Sequence, residues 1–180
     1  MMIKVALVDD NSFLIKATQE KLSFFEDVDI KMQANDGIEI LEKLALNHNI
    51  DIILMDIEMP GMNGIEATLK VKAKYPHIKI LVLTVFDDDE NIFSVIKAGA
   101  DGYLLKEIAP NDLYQGIQET LNGGAAMHPS IAFKTLKLLR NPQNFETKSE
   151  LEVKLSAREI EVLEQLSKGL SYNIIAENLF

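Results

Sequence analysis

Short apolar segments alternate with longer amphipathic segments over the first two thirds of the chain. The apolar segments have the length of strands and are rich in isoleucine, valine and leucine: IKVALV (3–8), VDIKMQA (28–34), DIILM (51–55), IKILVLT (78–84) and GYLL (102–105). Between them, apolar residues recur with helical spacing over 12–24, 37–47, 64–74, 89–98 and 110–121. This alternation predicts a parallel sheet with helices on both faces.

Five such strand–helix units predict an α/β fold, a flavodoxin-like doubly wound sheet with the strand order 2-1-3-4-5. The first, third and fourth strands are nearly continuous apolar runs, which favours central positions, whereas VDIKMQA alternates and suits an edge. In such sheets ligands bind beyond the carboxyl ends of the strands, where the strand order reverses. The residues at those ends are therefore the candidates for chemistry.

The spacing of apolar residues changes after LNGG (121–124). Residues 126–140 predict one further helix starting near Pro129, and the polar stretch 141–150 with its Asn-Pro pair is typical of a linker. The sequence therefore predicts three parts, which are a first domain over 1–122, a linker with a helix over 123–150, and a helical segment over 151–180.

The helical segment carries its own start and stop signals. Ser156 and Glu159 have the spacing of a capping box, and Gly169 suits the end of the helix that they open. Ser171 is a candidate cap for a second short helix that runs towards Phe180. We therefore expect two short helices here.

Composition narrows the class of protein. Apolar residues make up 47% of the chain and charged residues 26%, as in ordinary globular proteins. Cysteine is absent, which excludes a disulfide framework and favours a reducing compartment. No apolar run reaches the roughly 18 residues of a membrane span, and the N-terminus lacks a small-residue cleavage site. We expect a cytoplasmic protein without a membrane partner.

The formal net charge of −10 is concentrated in the first domain, where 1–122 carries 11 Lys and Arg against 21 Asp and Glu. Residues 123–150 and 151–180 have small net charges of opposite sign, so no segment forms a basic patch for nucleic-acid phosphates. The acidic first domain favours a metal cation or a basic partner, although a solvated acidic surface also explains the charge.

Five polar side chains lie at the predicted carboxyl ends of the strands. Asp9 and Asp10 end the first strand, Asp56 the third, Thr84 the fourth and Lys106 the fifth. Three crowded carboxylates repel each other, and a divalent cation relieves that repulsion. Oxygen ligands without a nearby His or Cys suit Mg²⁺, and the lysine supplies a positive charge for a phosphoryl oxygen.

Each of these residues also has an explanation without chemistry. Asp10 or Asn11 could cap the helix over 12–24, and Asp56 could satisfy loop amides. Lys106 could be a solvated rim charge and Thr84 an ordinary strand residue. Chance explains the joint placement of all of them at matching strand ends poorly.

Four motifs occur in this order along the chain: VALVDDN, LMDIEMPGMNGIEA, ILVLTVFDD and AGADGYLLKE. With these motifs, residues 2–122 resemble the receiver domain of bacterial two-component response regulators. LSAREIEVLEQLSKGLSYNIIAENLF is similar to the start of a LuxR-type helix-turn-helix domain. Together they resemble the NarL/FixJ subfamily of transcriptional regulators. The resemblance implies a non-enzymatic switch with a sensor histidine kinase as partner, and it is compatible with a homodimer.

The resemblance implies specific roles at the acidic residues. Asp56 matches the position that accepts a phosphoryl group from the kinase. Asp9 and Asp10 match the acidic pair that holds Mg²⁺, and Asp56 with the backbone carbonyl of Glu58 completes the protein ligands.

The remaining motif residues match the switch of that family. Thr84 corresponds to the switch hydroxyl, Lys106 to the lysine that pairs with the phosphate, and Tyr103 to the aromatic switch position. Plain core packing is the alternative role for Tyr103. Glu107 stands where many receivers have proline, and NarL-like members often lack that proline as well.

Three hypotheses for the function remain to be compared. The first is a phosphorylation-gated transcription regulator. A LuxR-type domain reads DNA with a recognition helix, and the sequence ends at Phe180, where the turn into that helix is expected. We therefore expect promoter DNA as a partner only for a longer form of the chain. The alternative is a phosphorylation-gated interaction module without DNA binding. A phosphatase of the haloacid-dehalogenase type is rejected, because VDDNS lacks the Asp-x-Asp motif on the first strand.

Overall fold

The structure is a computed structural model, and it describes residues 2–140 together with Val162 and Gln165. The chain forms two compact units, Met1–Pro142 and Gln143–Phe180. The predicted capping box and the two predicted helices of 151–180 lie outside the described residues, apart from helical backbone at Val162 and Gln165.

Strands and helices alternate through the described part of the first unit. The strands are β1 (Ile3–Val8), β2 (Val28–Ala34), β3 (Ile52–Met55), β4 (Lys79–Thr84) and β5 (Gly102–Leu105). The helices are α1 (Ser12–Leu22), α2 (Gly37–Leu46), α3 (Gly64–Lys74), α4 (Asp89–Ala98), α5 (Pro110–Leu121) and α6 (Pro129–Arg140). The predicted elements agree with these within one or two residues at each end.

All five strands are parallel in one sheet with the order β2-β1-β3-β4-β5, which confirms the predicted fold class. Strand β3 is buried throughout, and β1 and β4 are buried except at one residue each. Strand β2 is only partly buried and forms an edge, as its alternating sequence predicts. Helices α1 and α5 pack together, and α2, α3 and α4 pack in series, so the sheet lies between two helical layers.

Side-chain caps determine where several helices begin. The Asn11 side chain accepts a hydrogen bond from the Phe13 amide, so Asn11 and not Asp10 caps α1. This helix ends at Leu22, two residues before the predicted end. The Ser23 hydroxyl donates to the Glu20 carbonyl there, a local bond that competes with continued helix.

Helix α6 begins at Pro129 as predicted. The segment between α5 and α6 also takes part in the sheet. Met127 forms an isolated parallel bridge with Tyr103 of β5 and so extends the sheet beyond this edge strand. The sequence pattern did not reveal this pairing, since one bridge leaves no periodic signal. None of the described helices is long and apolar enough to cross a membrane.

Candidate functional site

The acidic residues follow directly on two adjacent central strands. Beyond β1, the Asp9 amide donates to the Ala34 carbonyl at 3.1 Å. Beyond β3, the Asp56 amide donates to the Val8 carbonyl at 2.9 Å. Sheet hydrogen bonding therefore continues one residue past each strand and fixes the backbone of both acids at the carboxyl end of the sheet.

The three predicted acids converge at the carboxyl end of the sheet. Asp9, Asp10 and Asp56 each offer a carboxylate oxygen, and these atoms lie within 4.8 Å of one another. Asp9 and Asp56 are buried whereas Asp10 is exposed, because successive side chains of an extended segment point to opposite sides. Adjacent acids thus have different environments.

Lys106 joins the two buried acids. Its ammonium lies 2.7 Å from Asp9 Oδ2 and 3.1 Å from Asp56 Oδ2. The Lys106 amide donates to the Thr84 carbonyl, which holds the residue at the end of β5. Its carbonyl accepts a hydrogen bond of 2.9 Å from the Lys21 ammonium of α1. Lys21 therefore helps to position Lys106. The sequence did not predict this role, because a single lysine on an amphipathic helix is usually a solvated surface residue.

Burial raises the pKa of the Asp56 carboxyl above its ordinary value. The nearby Lys106 ammonium lowers this pKa, and the negative charge of Asp9 raises it further. The site therefore holds an acid whose ionised form is poorly stabilised by the protein alone.

Asp56 also has an oxygen available for a ligand. Among the described residues, Oδ1 of Asp56 has no hydrogen-bond partner of ordinary geometry, although it is buried. Buried polar atoms without a partner are rare and point to an ion, a water or a functional role. The all-oxygen donor set and the excess negative charge fit a divalent cation such as Mg²⁺. Glu58, the fourth predicted ligand, lies exposed two residues after Asp56.

Gly64 makes the close packing under Asp56 possible. A side-chain Cβ at this position would lie 1.9 Å from the Asp56 carbonyl oxygen, so only glycine fits. The Gly64 amide donates to the Ile57 carbonyl at 2.8 Å and closes the loop after β3. Gly61 has a φ of 74°, a left-handed backbone conformation that favours glycine.

Thr84 and Tyr103 are both linked to Phe86 in the loop between β4 and α4. The Phe86 amide lies 3.4 Å from Thr84 Oγ1, a long hydrogen bond, and its carbonyl accepts from the Tyr103 hydroxyl at 2.8 Å. Both side chains are fully buried. The structure thus gathers Asp9, Asp56 and Lys106 by direct contact, and it connects Thr84 and Tyr103 through this loop.

His48 and His77 take no part in this site. His48 and His77 lie near each other, with ring centroids 6.2 Å apart, but they precede β3 and β4 and so lie at the opposite, amino end of the sheet. The sequence had suggested no pairing between them, because they are far apart along the chain.

The comparisons with known proteins agree with this geometry. The response regulator receiver domain family matches residues 5–118. The transcriptional regulatory protein DegU of Brevibacillus brevis is 32% identical over 99% of this chain and 80% of its own length. The transcriptional regulatory protein LnrK of Bacillus subtilis (strain 168) is 35% identical, over 99% of this chain and 83% of its own.

A solved structure gives the same result. The response regulator ChrA of a heme-sensing two-component system is 33% identical and has a TM-score of 0.63, over 99% of this chain and 82% of its own. The predicted family is confirmed by these matches. The chain belongs to the response regulator receiver domain family of two-component systems, and its homologues are transcriptional regulators.

Proposed function

We propose that this protein is a phosphorylation switch in which Asp56 accepts a phosphoryl group from a histidine kinase. The observation that carries the proposal is the environment of Asp56. It is a buried carboxylate at the end of a central strand, with one oxygen on Lys106 and the other without a hydrogen-bond partner of ordinary geometry among the described residues. A carboxylate oxygen attacks phosphorus, the bond from phosphorus to the kinase imidazole nitrogen breaks, and that nitrogen keeps the electron pair.

The proposed metal ligands are Asp9, Asp10, Asp56 and the backbone carbonyl of Glu58. When bound, Mg²⁺ supplies positive charge that neutralises phosphoryl oxygens during transfer. The clustered carboxylate oxygens support this assignment, because their mutual repulsion is relieved by a cation. Lys106 is the second positive charge, and it can exchange its contact with Asp56 for one with a phosphoryl oxygen.

The switch residues in this proposal are Thr84 and Tyr103. A phosphoryl group adds about −1.5 to −2 charges and three acceptor oxygens. Within residues 2–140, the Thr84 hydroxyl has one hydrogen bond, which is long, so it can turn towards those oxygens at little cost. As the loop moves, the Tyr103 hydroxyl gives up its hydrogen bond to the Phe86 carbonyl and changes position.

The proposed output is control of transcription. Its support is that the relatives DegU and LnrK are named transcriptional regulatory proteins and cover almost the whole of this chain. In this proposal residues 1–122 are the phosphoacceptor domain, 123–150 the linker, and 151–180 part of the helix-turn-helix domain.

Intact mass after incubation with acetyl phosphate and Mg²⁺ tests the phosphoacceptor. We expect one phosphoryl adduct on the wild type and on Asp112→Asn, which changes an exposed acid of α5. We expect none on Asp56→Asn. An adduct on Asp56→Asn at the yield of the wild type would show that another residue accepts the group.

Thermal unfolding with millimolar Mg²⁺ tests the metal site. A ligand that binds only the folded state raises Tm by mass action. We expect a rise for the wild type and for Asp112→Ala, and most of it to be lost in Asp10→Ala. If Mg²⁺ leaves the Tm of the wild type unchanged, the metal site is assigned wrongly.

A further inference from the structure

The start of α6 is anchored to the edge of the sheet. The Tyr103 amide donates to the Ala126 carbonyl at 2.8 Å, and Tyr103 pairs with Met127 in a parallel bridge. Ala126 and Ile131 are buried. The segment before α6 and the first turn of this helix are thus held by backbone bonds and by apolar burial.

The later part of α6 is attached differently. Phe133, Leu136 and Leu139 are all more than half exposed, so apolar burial contributes little there. Helix α6 packs against α4, and Lys134 supplies a polar contact. Its ammonium lies 2.9 Å from Asp87 Oδ2 and also donates to the Asp87 backbone carbonyl.

Asp87 belongs to the same loop that contacts the switch residues. The preceding residue, Phe86, is bonded to Thr84 through its amide and to Tyr103 through its carbonyl. Two consecutive loop residues therefore link Thr84, the buried Tyr103 and helix α6. These contacts join the loop to β4, β5 and α6, so a displacement of the loop relative to these three elements changes at least one of them.

We propose that the Lys134–Asp87 pair is a phosphorylation-sensitive tether, which fixes the later part of α6 in the unphosphorylated protein and releases it when Asp56 is phosphorylated. This rests on the function proposed above for Asp56. Thr84 turns towards the phosphoryl oxygens, the 3.4 Å contact with the Phe86 amide is lost, and the loop carries Asp87 away from Lys134. The anchor at Ala126 remains, so only the later turns of α6 loosen.

The expected size of the effect is modest. Both partners are partly exposed, with 29% of the Lys134 side chain and 60% of the Asp87 side chain accessible. Such pairs change an equilibrium by up to about fivefold. The coupling between the two is reciprocal. If phosphorylation weakens the tether by a given factor, then removal of the tether must favour phosphorylation by the same factor.

Amide hydrogen exchange of the full chain, measured by mass spectrometry on peptides within 129–140, tests the tether. We expect acetyl phosphate with Mg²⁺ to speed exchange in the later turns of α6 by about two- to fivefold in the wild type. Lys134→Met should show this faster exchange without the donor and little further change with it. Lys137→Met, which removes an exposed charge three residues later on α6, should behave as the wild type.

A double-mutant cycle with Asp87→Ala and Lys134→Met adds a second measurement. The two substitutions should have effects on exchange that are not additive, because each removes the same contact. If Lys134→Met exchanges as the wild type without the donor, the tether does not exist. If the intact mass shows the Asp56 adduct and α6 exchange is unchanged, the tether is wrong while the proposed function stands. An absence of the adduct overturns both.

Discussion

The Lys106 ammonium lies 3.1 Å from Asp56 Oδ2, and the same nitrogen contacts Asp9. One lysine thus contacts two buried carboxylates at the place where a divalent cation is proposed to bind, and its single positive charge offsets only one of their two negative charges. A cation and this lysine therefore compete for the same negative charge, and this competition leads to the first prediction.

Lys106→Met should destabilise the protein without metal and increase its response to Mg²⁺. Removing one partner leaves buried charges unpaired, at a cost of about 3 kcal/mol. The carboxylates then attract the cation more strongly, so millimolar Mg²⁺ should raise Tm more than in the wild type. Thermal unfolding with and without Mg²⁺ measures both effects. Lys97→Met, a lysine on α4 away from the acids, is the control. A smaller Mg²⁺ response in Lys106→Met than in the wild type contradicts the competition.

Asp56→Asn should stabilise the protein without metal at neutral pH. Because the folded pKa of Asp56 is raised, the native state keeps this proton to a higher pH than the unfolded chain does. Stability is therefore lost as the pH rises from the unfolded towards the folded pKa, and the ionised group destabilises the fold above it. Removing the charge should raise Tm by roughly 2–4 °C, the size expected for about 1 kcal/mol.

Denaturation by urea over a pH series checks the sign. The advantage of Asp56→Asn should shrink as the pH falls towards about 4, where the unfolded carboxyl takes up its proton. Asp112→Asn should show no comparable pH-dependent gain. If Asp56→Asn is less stable than the wild type at neutral pH, burial does not dominate the energetics of this carboxylate.

The sequence predicted the fold well because its signals are repeated. Apolar runs define the central strands, and the alternation in β2 places that strand at an edge. The same topology places Asp9 and Asp56 at the ends of adjacent strands, so their proximity follows from strand order, whereas Lys106 reaches both of them from β5 through its long side chain.

Contacts made by single residues were not predictable in this way. The bond from Lys21 to the Lys106 carbonyl and the bridge between Tyr103 and Met127 join residues far apart in sequence. Neither leaves a periodic pattern, because each depends on how one side chain or one backbone segment packs. The contact of Lys134 with Asp87 is of the same kind.

Gly64→Ala should be more harmful than Gly61→Ala, although only Gly61 has a positive φ. A Cβ at Gly64 meets the Asp56 carbonyl oxygen at 1.9 Å, which the rigid backbone cannot avoid, so we expect a loss of about 3 kcal/mol or more. At Gly61 the nearest atom is Ile38 Cδ1 at 3.7 Å, and only the backbone conformation costs about 1–2 kcal/mol. Urea denaturation of both variants measures the difference. Equal losses would mean that the loop after β3 moves freely away from Asp56.

Tyr103→Phe separates the two roles considered for this residue. The ring is fully buried, so phenylalanine keeps the packing, but the hydroxyl that donates to the Phe86 carbonyl at 2.8 Å is lost. We expect a loss of about 1 kcal/mol from the missing hydrogen bond. Tyr103→Ala should cost about 3–5 kcal/mol, because it also leaves a cavity.

Hydrogen exchange of the loop between β4 and α4 then distinguishes a switch role of Tyr103 from plain core packing. If the hydroxyl positions the loop, hydrogen exchange of residues 85–88 in Tyr103→Phe should be faster than in the wild type before any phosphodonor is added. The further increase on adding acetyl phosphate with Mg²⁺ should be smaller, because one of the bonds that phosphorylation displaces is already missing. Loop exchange in Tyr103→Phe that matches the wild type with and without the donor would assign Tyr103 to core packing alone.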